Sequence, residues 1–195
     1  METNPYAPPK AAVADVEPGT SVGTPFFAVS KTKLVIMSIA TSTLYQLVWF
    51  YLNWRQVRRS GAMVAPFVRT LFAPIFCYAL FDRVRWYRTD LPSSKLPAGL
   101  LALGWIAVTL LSEFLDRFDD RGVRSWAVAM LFVALLVGHS TVLFLLPVQT
   151  AIDTINRAES PDHDPNDRFT VWNWIWMIGL GSLTLAGLAG TLLTY

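Results

Sequence analysis

Four apolar stretches of roughly twenty residues, 34–52, 97–115, 126–147 and 171–193, alternate with short charged segments along the chain. Each approaches the ~20 residues that a helix needs to cross a hydrocarbon core about 30 Å thick. The pattern predicts an all-α, multi-pass transmembrane helical bundle of four spans. A fifth stretch, 62–81, is apolar but short, is interrupted by Pro66 and Pro74, and carries Arg69. A charge near the bilayer centre costs at least about 2.5–3.5 kcal/mol, whereas an Arg near the interface can snorkel to water. A short broken or interfacial helix is therefore expected there, with a five-span bundle as the alternative. Beyond Pro147, Val148, Ile152 and Ile155 recur at helical spacing beside Gln149, Asp153, Asn156 and Arg157. This predicts an amphipathic helix over 148–158 that leaves the membrane along its surface.

Outside these elements the chain is polar. Residues 1–25 are rich in Pro, Ala, Gly and acids, with Pro8-Pro9 as a weak polyproline signal. They read as a disordered tail preceding a helical transmembrane domain over 26–195, because they cannot bury enough apolar surface to offset ordering entropy. No continuous apolar core of a cleavable signal appears before residue 30, so the first span is expected to act as the insertion signal. The segment 116–124 mixes acid and base; Glu113 with Arg117, and Asp120 with Arg124, have pairing distance on a helix. That short hairpin makes the spans at 97–115 and 126–147 antiparallel neighbours.

Composition agrees with lipid as the solvent. The 195 residues are 53% hydrophobic and 15% charged, where a soluble domain carries about 25% charged residues. A net charge of +2 gives no electrostatic support for binding nucleic acid. Position matters more than total charge. With 62–81 not crossing, Arg55, Arg58, Arg59, Arg69, Arg83, Arg85, Arg88 and Lys95 share a side with Arg157 and Arg168. The positive-inside rule makes that side cytoplasmic. Lys10, Lys31, Lys33, Arg117, Arg121 and Arg124 are then expected outside. Trp49, Phe50, Tyr51 and Trp54, and later Trp172, Trp174 and Trp176, read as interfacial aromatic belts. Cys77 is the only cysteine, so no intramolecular disulfide can form.

Few residues suggest chemistry. His139, mid-span in Gly138-His139-Ser140-Thr141, is the intramembrane polar candidate. It reads either as a proton relay or ligand group, or as a neutral imidazole bonded to a neighbouring helix. Glu113 is the obvious partner, but counting residues from the ends of the two spans puts their depths about 15 Å apart. Asp162, Asp164 and Asn166 have the one-three-five spacing of a calcium loop, but Asp167 and Asn173 stand where such a loop needs Gly and Glu, so no metal site is expected. Ser182, Ala186 and Gly190 recur every four residues on the last span and form a helix-packing face, within the chain or between copies. Arg83, Arg85 and Arg88 could contact anionic lipid. Nucleophile–base sets, phosphate loops and zinc signatures are missing, so neither a catalytic residue nor a cofactor is expected.

Several strings resemble a known family. Phe26-Phe27-x-Val29-Ser30 leads to Trp49-Phe50-Tyr51-x-Asn53-Trp54-Arg55, then Pro66-Phe67-x-Arg69, Pro147-Val148-Gln149 with Ile155-Asn156, and Arg168-Phe169-Thr170-x-Trp172-Asn173. Together they are similar to an uncharacterised family of small bacterial multi-pass inner-membrane proteins. The resemblance implies a bacterial plasma membrane location and brings no activity. Asn53, Arg69, Gln149, Asn156 and Asn173 all fall near membrane boundaries, where a buried amide needs partners. They are expected to form one polar cluster pinning the broken and amphipathic helices beneath the bundle. The leading expectation is a non-enzymatic structural or accessory membrane component, packing in a homo- or hetero-oligomer through its last span. The alternatives are a small transporter or proton-linked channel component using His139, and a lipid-modifying membrane enzyme.

Overall fold

The computed structural model describes residues 23–118 and 124–194. The chain is all-helical over these residues: α1 (Lys31–Ala40), α2 (Leu44–Arg59), α3 (Pro66–Leu71), α4 (Ala73–Trp86), a 3₁₀ turn (Pro92–Lys95), α5 (Ala98–Phe118), α6 (Arg124–Ser140), α7 (Val142–Glu159) and α8 (Val171–Thr194). Among the described residues, two stretches are long and apolar enough to cross a membrane, Ala98–Leu115 and Phe132–Glu159. Residues 1–22 of the expected tail, and the pairings expected of Arg117, Asp120 and Arg124, lie outside what is described.

The first apolar stretch does not form one straight helix. Ser30 Oγ accepts the Lys33 N–H and starts α1. Past the end of α1, Ser42 and Thr43 adopt left-handed φ values of 48° and 70°. Thr43 N–H closes on the Ser38 carbonyl at 2.7 Å. Thr41 serves both helix ends: its hydroxyl donates to Met37 O and accepts the Tyr45 N–H. The chain then doubles back, because Phe27 N–H lies 3.2 Å from Asn53 Oδ1. One continuous helix would separate these residues by about 39 Å. So α1 and α2 form an antiparallel hairpin, and 34–52 is not the single span expected from its hydropathy. Apolar count alone cannot register a turn whose polar groups are satisfied by its own hydroxyls.

Residues 66–86 also begin and end at one end of the bundle, which we call the base. Pro66 opens α3 and Pro74 opens α4, with the break at Phe72. Arg69 stacks on Trp54, and at the far end of α4 Tyr87 meets Phe26 edge-on. The core lies here. Trp49, Phe50 and Phe81 pack together and Phe50 meets Trp105; Phe26, Leu34, Met37, Leu80, Leu145, Ile152 and Ile155 are fully buried around them.

From the base α5 runs away and α6–α7 returns. Ser112 faces Gly138, and Phe144 lies so close to Gly104 that a Cβ added there would clash with its ring. Because α6 continues into α7 with only Thr141 between them, Glu113 and His139 stand at nearly the same level; the 15 Å offset assumed equal starting depths. Residues 148–158 are a second correction. They are the lower half of α7 and carry Val148, Gln149, Ile152, Ile155 and Asn156 into the core rather than along a surface.

The last helix, α8, leans parallel to α1. Gly181 packs so closely on α1 that an added Cβ would lie 3.3 Å from Ala40 O, and the Thr184 and Ser42 hydroxyls bond at 2.6 Å. The face turned to the bundle therefore carries Met177, Gly181 and Thr184. Ser182, Ala186 and Gly190 are exposed, so this chain does not cover the packing face expected on them.

Candidate functional site

The base is organised around a buried extended segment. Phe26, Phe27, Ala28 and Val29 have almost no exposed surface and, among the described residues, no strand to pair with. Buried backbone groups need partners, and two asparagines supply them. Asn156 accepts the Phe26 N–H at 3.2 Å and returns its own N–H to Phe26 O at 3.1 Å. Asn53 accepts the Phe27 N–H and donates to Trp49 O. An amide suits this task because one planar group carries both a donor and an acceptor.

Two glutamines extend the arrangement. Gln149 accepts the Trp49 indole N–H at 2.7 Å and donates to Asp153. Gln46, which sequence reasoning missed, accepts the Trp105 indole N–H at 2.9 Å and donates to Thr141. A glutamine inside an apolar stretch was the available signal, since it must be bonded in such surroundings. Asn53, Gln149 and Asn156 thus come together around Trp49 and the Phe26–Phe27 backbone. Arg69 borders this group through ring contacts: its guanidinium lies over Trp54 at 4.4 Å and Phe76 at 5.2 Å. Asn173 is elsewhere. It accepts the Thr170 N–H while Thr170 Oγ1 accepts that of Asn173, a reciprocal cap on α8.

His139 reaches the hairpin tip. Its Nδ1 lies 2.6 Å from Leu135 O and its Nε2 3.3 Å from Ile39 O, so both ring nitrogens face backbone carbonyls. The basic residues at the base are partly committed. Arg85 donates to Ser94 O, Arg88 bridges Asp90 and Glu159, and Arg83 is exposed. The Arg88 hydrogen bond holds the Asp90 carboxyl below its usual pKa.

The loop before α8 folds onto the start of α1. Asn166, at φ 51°, donates to Ala28 O and accepts from Lys33 Nζ at 2.7 Å. Lys33 Nζ also donates to Arg168 O at 2.7 Å. Burial lowers the Lys33 pKa, against the opposing pull of Asp164 and Asp167. Asp164 accepts the Asn166 N–H, so the calcium-like spacing builds a turn that anchors Lys33. Among the described residues no three His, Cys, Asp or Glu side chains gather as metal ligands. Above this anchor a cleft of about 510 Å³ separates α8 from the α1–α2 hairpin.

No family model, curated protein or solved structure matches this chain.

Proposed function

We propose that the chain is a non-enzymatic structural or accessory component of a membrane, with three crossing passes and a re-entrant hairpin. The observation that carries this is the shared location of Phe27, Lys33, Asn53 and Arg168 at the base. Among the described residues, α5, α6–α7 and α8 then run from one end to the other. Their outward faces carry Leu103, Leu110, Phe132, Leu136, Ile178 and Leu183, all well exposed, as lipid contact requires. The hairpin tip meets α8 at Thr184, thirteen residues past Val171, or about 20 Å along a helix. Non-helical backbone at such depth is tolerated where protein satisfies it, and Thr41, Thr184 and His139 support that role.

Charge orients the bundle. Moving Lys31 and Lys33 to the base joins them to Arg55, Arg58, Arg59, Arg69, Arg83, Arg85, Arg88, Lys95, Arg157 and Arg168. This sharpens the positive-inside bias and makes the base cytoplasmic. The likeness of its sequence strings to small bacterial inner-membrane proteins supports the bacterial plasma membrane as its location. Engagement of the interior amides with backbone and indole groups supports a scaffolding role over a relay.

Cysteine accessibility in intact cells tests the architecture, with Cys77 replaced and single cysteines at Thr32, Ser60, Ser94 and Ser160. All four are expected on the cytoplasmic side; Thr32 and Ser60 on opposite sides would restore a straight first span. Proton flux into liposomes carrying the protein, lost in His139→Leu, would replace the scaffold with the channel reading.

A further inference from the structure

We propose that the Arg69 guanidinium binds the phosphate of an anionic phospholipid in the cytoplasmic leaflet, an assignment that rests on the membrane reading above. Arg69 is held by ring faces and not by polar bonds. Its guanidinium lies 4.4 Å from the Trp54 ring centre and 5.2 Å from that of Phe76, which fixes it between α2 and α4. Trp54 is fully buried, so the platform under the charge is rigid. Stacking uses the flat sides of a guanidinium, whereas its five N–H donors point outward in the plane. Among the described residues those donors make no hydrogen bond and no ion pair, and the side chain is partly exposed.

The neighbouring chain offers no carboxylate. The sequence has no Asp or Glu between residues 31 and 81, a range that holds α1, α2, α3 and α4 as far as Phe81. Arg69 lies on α3, which packs on α2 and α4. Arg55, Arg58 and Arg59 at the end of α2 add to the positive field. A guanidinium oriented in advance matches two oxygens of one phosphate through parallel N–H bonds.

The surrounding surface fits a lipid rather than a soluble phosphate. Phe67, Leu71, Ile75 and Tyr78 recur at helical spacing from α3 into α4, and all are well exposed. Tyr78 lies against Gly99, where the exposed Leu100 and Leu103 of α5 continue the apolar surface. An apolar surface that joins the lipid-facing side of α5 and is edged by a fixed cation belongs at the headgroup boundary. A soluble phosphate would leave these side chains in water; a phospholipid covers them with its glycerol and acyl chains.

Arginine modification by phenylglyoxal tests the site in the full, unaltered chain, with peptide mapping to read each arginine. Arg69 is expected to react about tenfold more slowly in phosphatidylglycerol vesicles than in vesicles of phosphate-free galactosyl diacylglycerol, the scale of one charge-assisted contact. The exposed Arg83 is expected to react alike in both. Equal slowing of Arg69 and Arg83 would reduce the effect to surface charge and overturn the site, as would no slowing of Arg69. Inorganic phosphate added to the phosphate-free vesicles is expected to protect nothing; protection equal to that of phosphatidylglycerol would assign the site to a free anion and overturn the lipid. Arg69→Lys keeps the charge but loses the planar fork, so native mass spectrometry should find about tenfold less phosphatidylglycerol retained on it than on the parent. Lower melting with unchanged lipid retention would make Arg69 only a clasp between α2 and α4 and overturn the site. Failure of the parent protein to enter vesicles would overturn the membrane reading with it.

Discussion

The Phe27 amide and the Asn53 side chain stand 26 residues apart in sequence and 3.2 Å apart in space. With the turn at Ser42–Thr43, that bond holds the two ends of the first apolar stretch at the same face of the bundle. It also binds the extended Phe26–Val29 segment into the core, with Asn156 completing the clasp from α7.

Removing either asparagine leaves buried backbone groups unpaired. Asn53→Leu and Asn156→Leu are each expected to lower stability by about 1–3 kcal/mol. Thermal unfolding in detergent measures this, and unchanged melting for both would remove the clasp from the account of the fold.

Close approach of α5 to α7 depends on Gly104. Alanine there would place its methyl against the Phe144 ring, so Gly104→Ala is expected to destabilise by about 1–3 kcal/mol, the usual cost of overpacking. Phe144→Leu in the same chain should recover part of the loss, which a double-mutant melting series would read.

His139 sets a ring nitrogen against a backbone carbonyl on each of two helices, and its neutral ring donates to one of them. His139→Leu should therefore fold, with stability lowered by about 1 kcal/mol, the net value of an ordinary hydrogen bond. A variant that melts unchanged but loses ion flux would contradict the structural role.

The clasp of Arg88 on Asp90 and Glu159 joins the end of α4 to the end of α7. Asp90 is depressed below 3.8 in the folded state. Its stabilisation is therefore present above 3.8 and is lost as pH falls through the lower folded value. Melting in detergent should show a small acid limb below about pH 4, small because the pair is exposed, and Arg88→Ala should flatten it.

How much of this was legible follows from what each signal measures. Helix at 97–115 and 126–147 was readable because mean hydropathy over a window reports length and polarity, and the one break there, at Thr141, does not reverse the chain. The break in 62–81 was readable because Pro66 and Pro74 remove backbone donors at fixed positions. Of the boundary residues, Asn53, Gln149 and Asn156 converge, but Asn173 serves its own helix, since Thr170 lies three residues before it. The stripe at Ser182, Ala186 and Gly190 pointed to packing, yet contact with α1 uses Gly181, one residue and about 100° of helix rotation away.

By itself, then, the sequence determined the helical class, the stretches apolar and long enough to cross a membrane and the residues that must find polar partners, because these are properties of composition and local spacing. Tertiary structure decided the hairpin at Ser42–Thr43, the burial of 148–158 and the cleft beside Lys33. Each depends on contacts between residues far apart in the chain, Phe27 with Asn53, Phe26 with Asn156, and Lys33 with Asn166, whose bonds satisfy a buried or turning backbone that no local pattern describes.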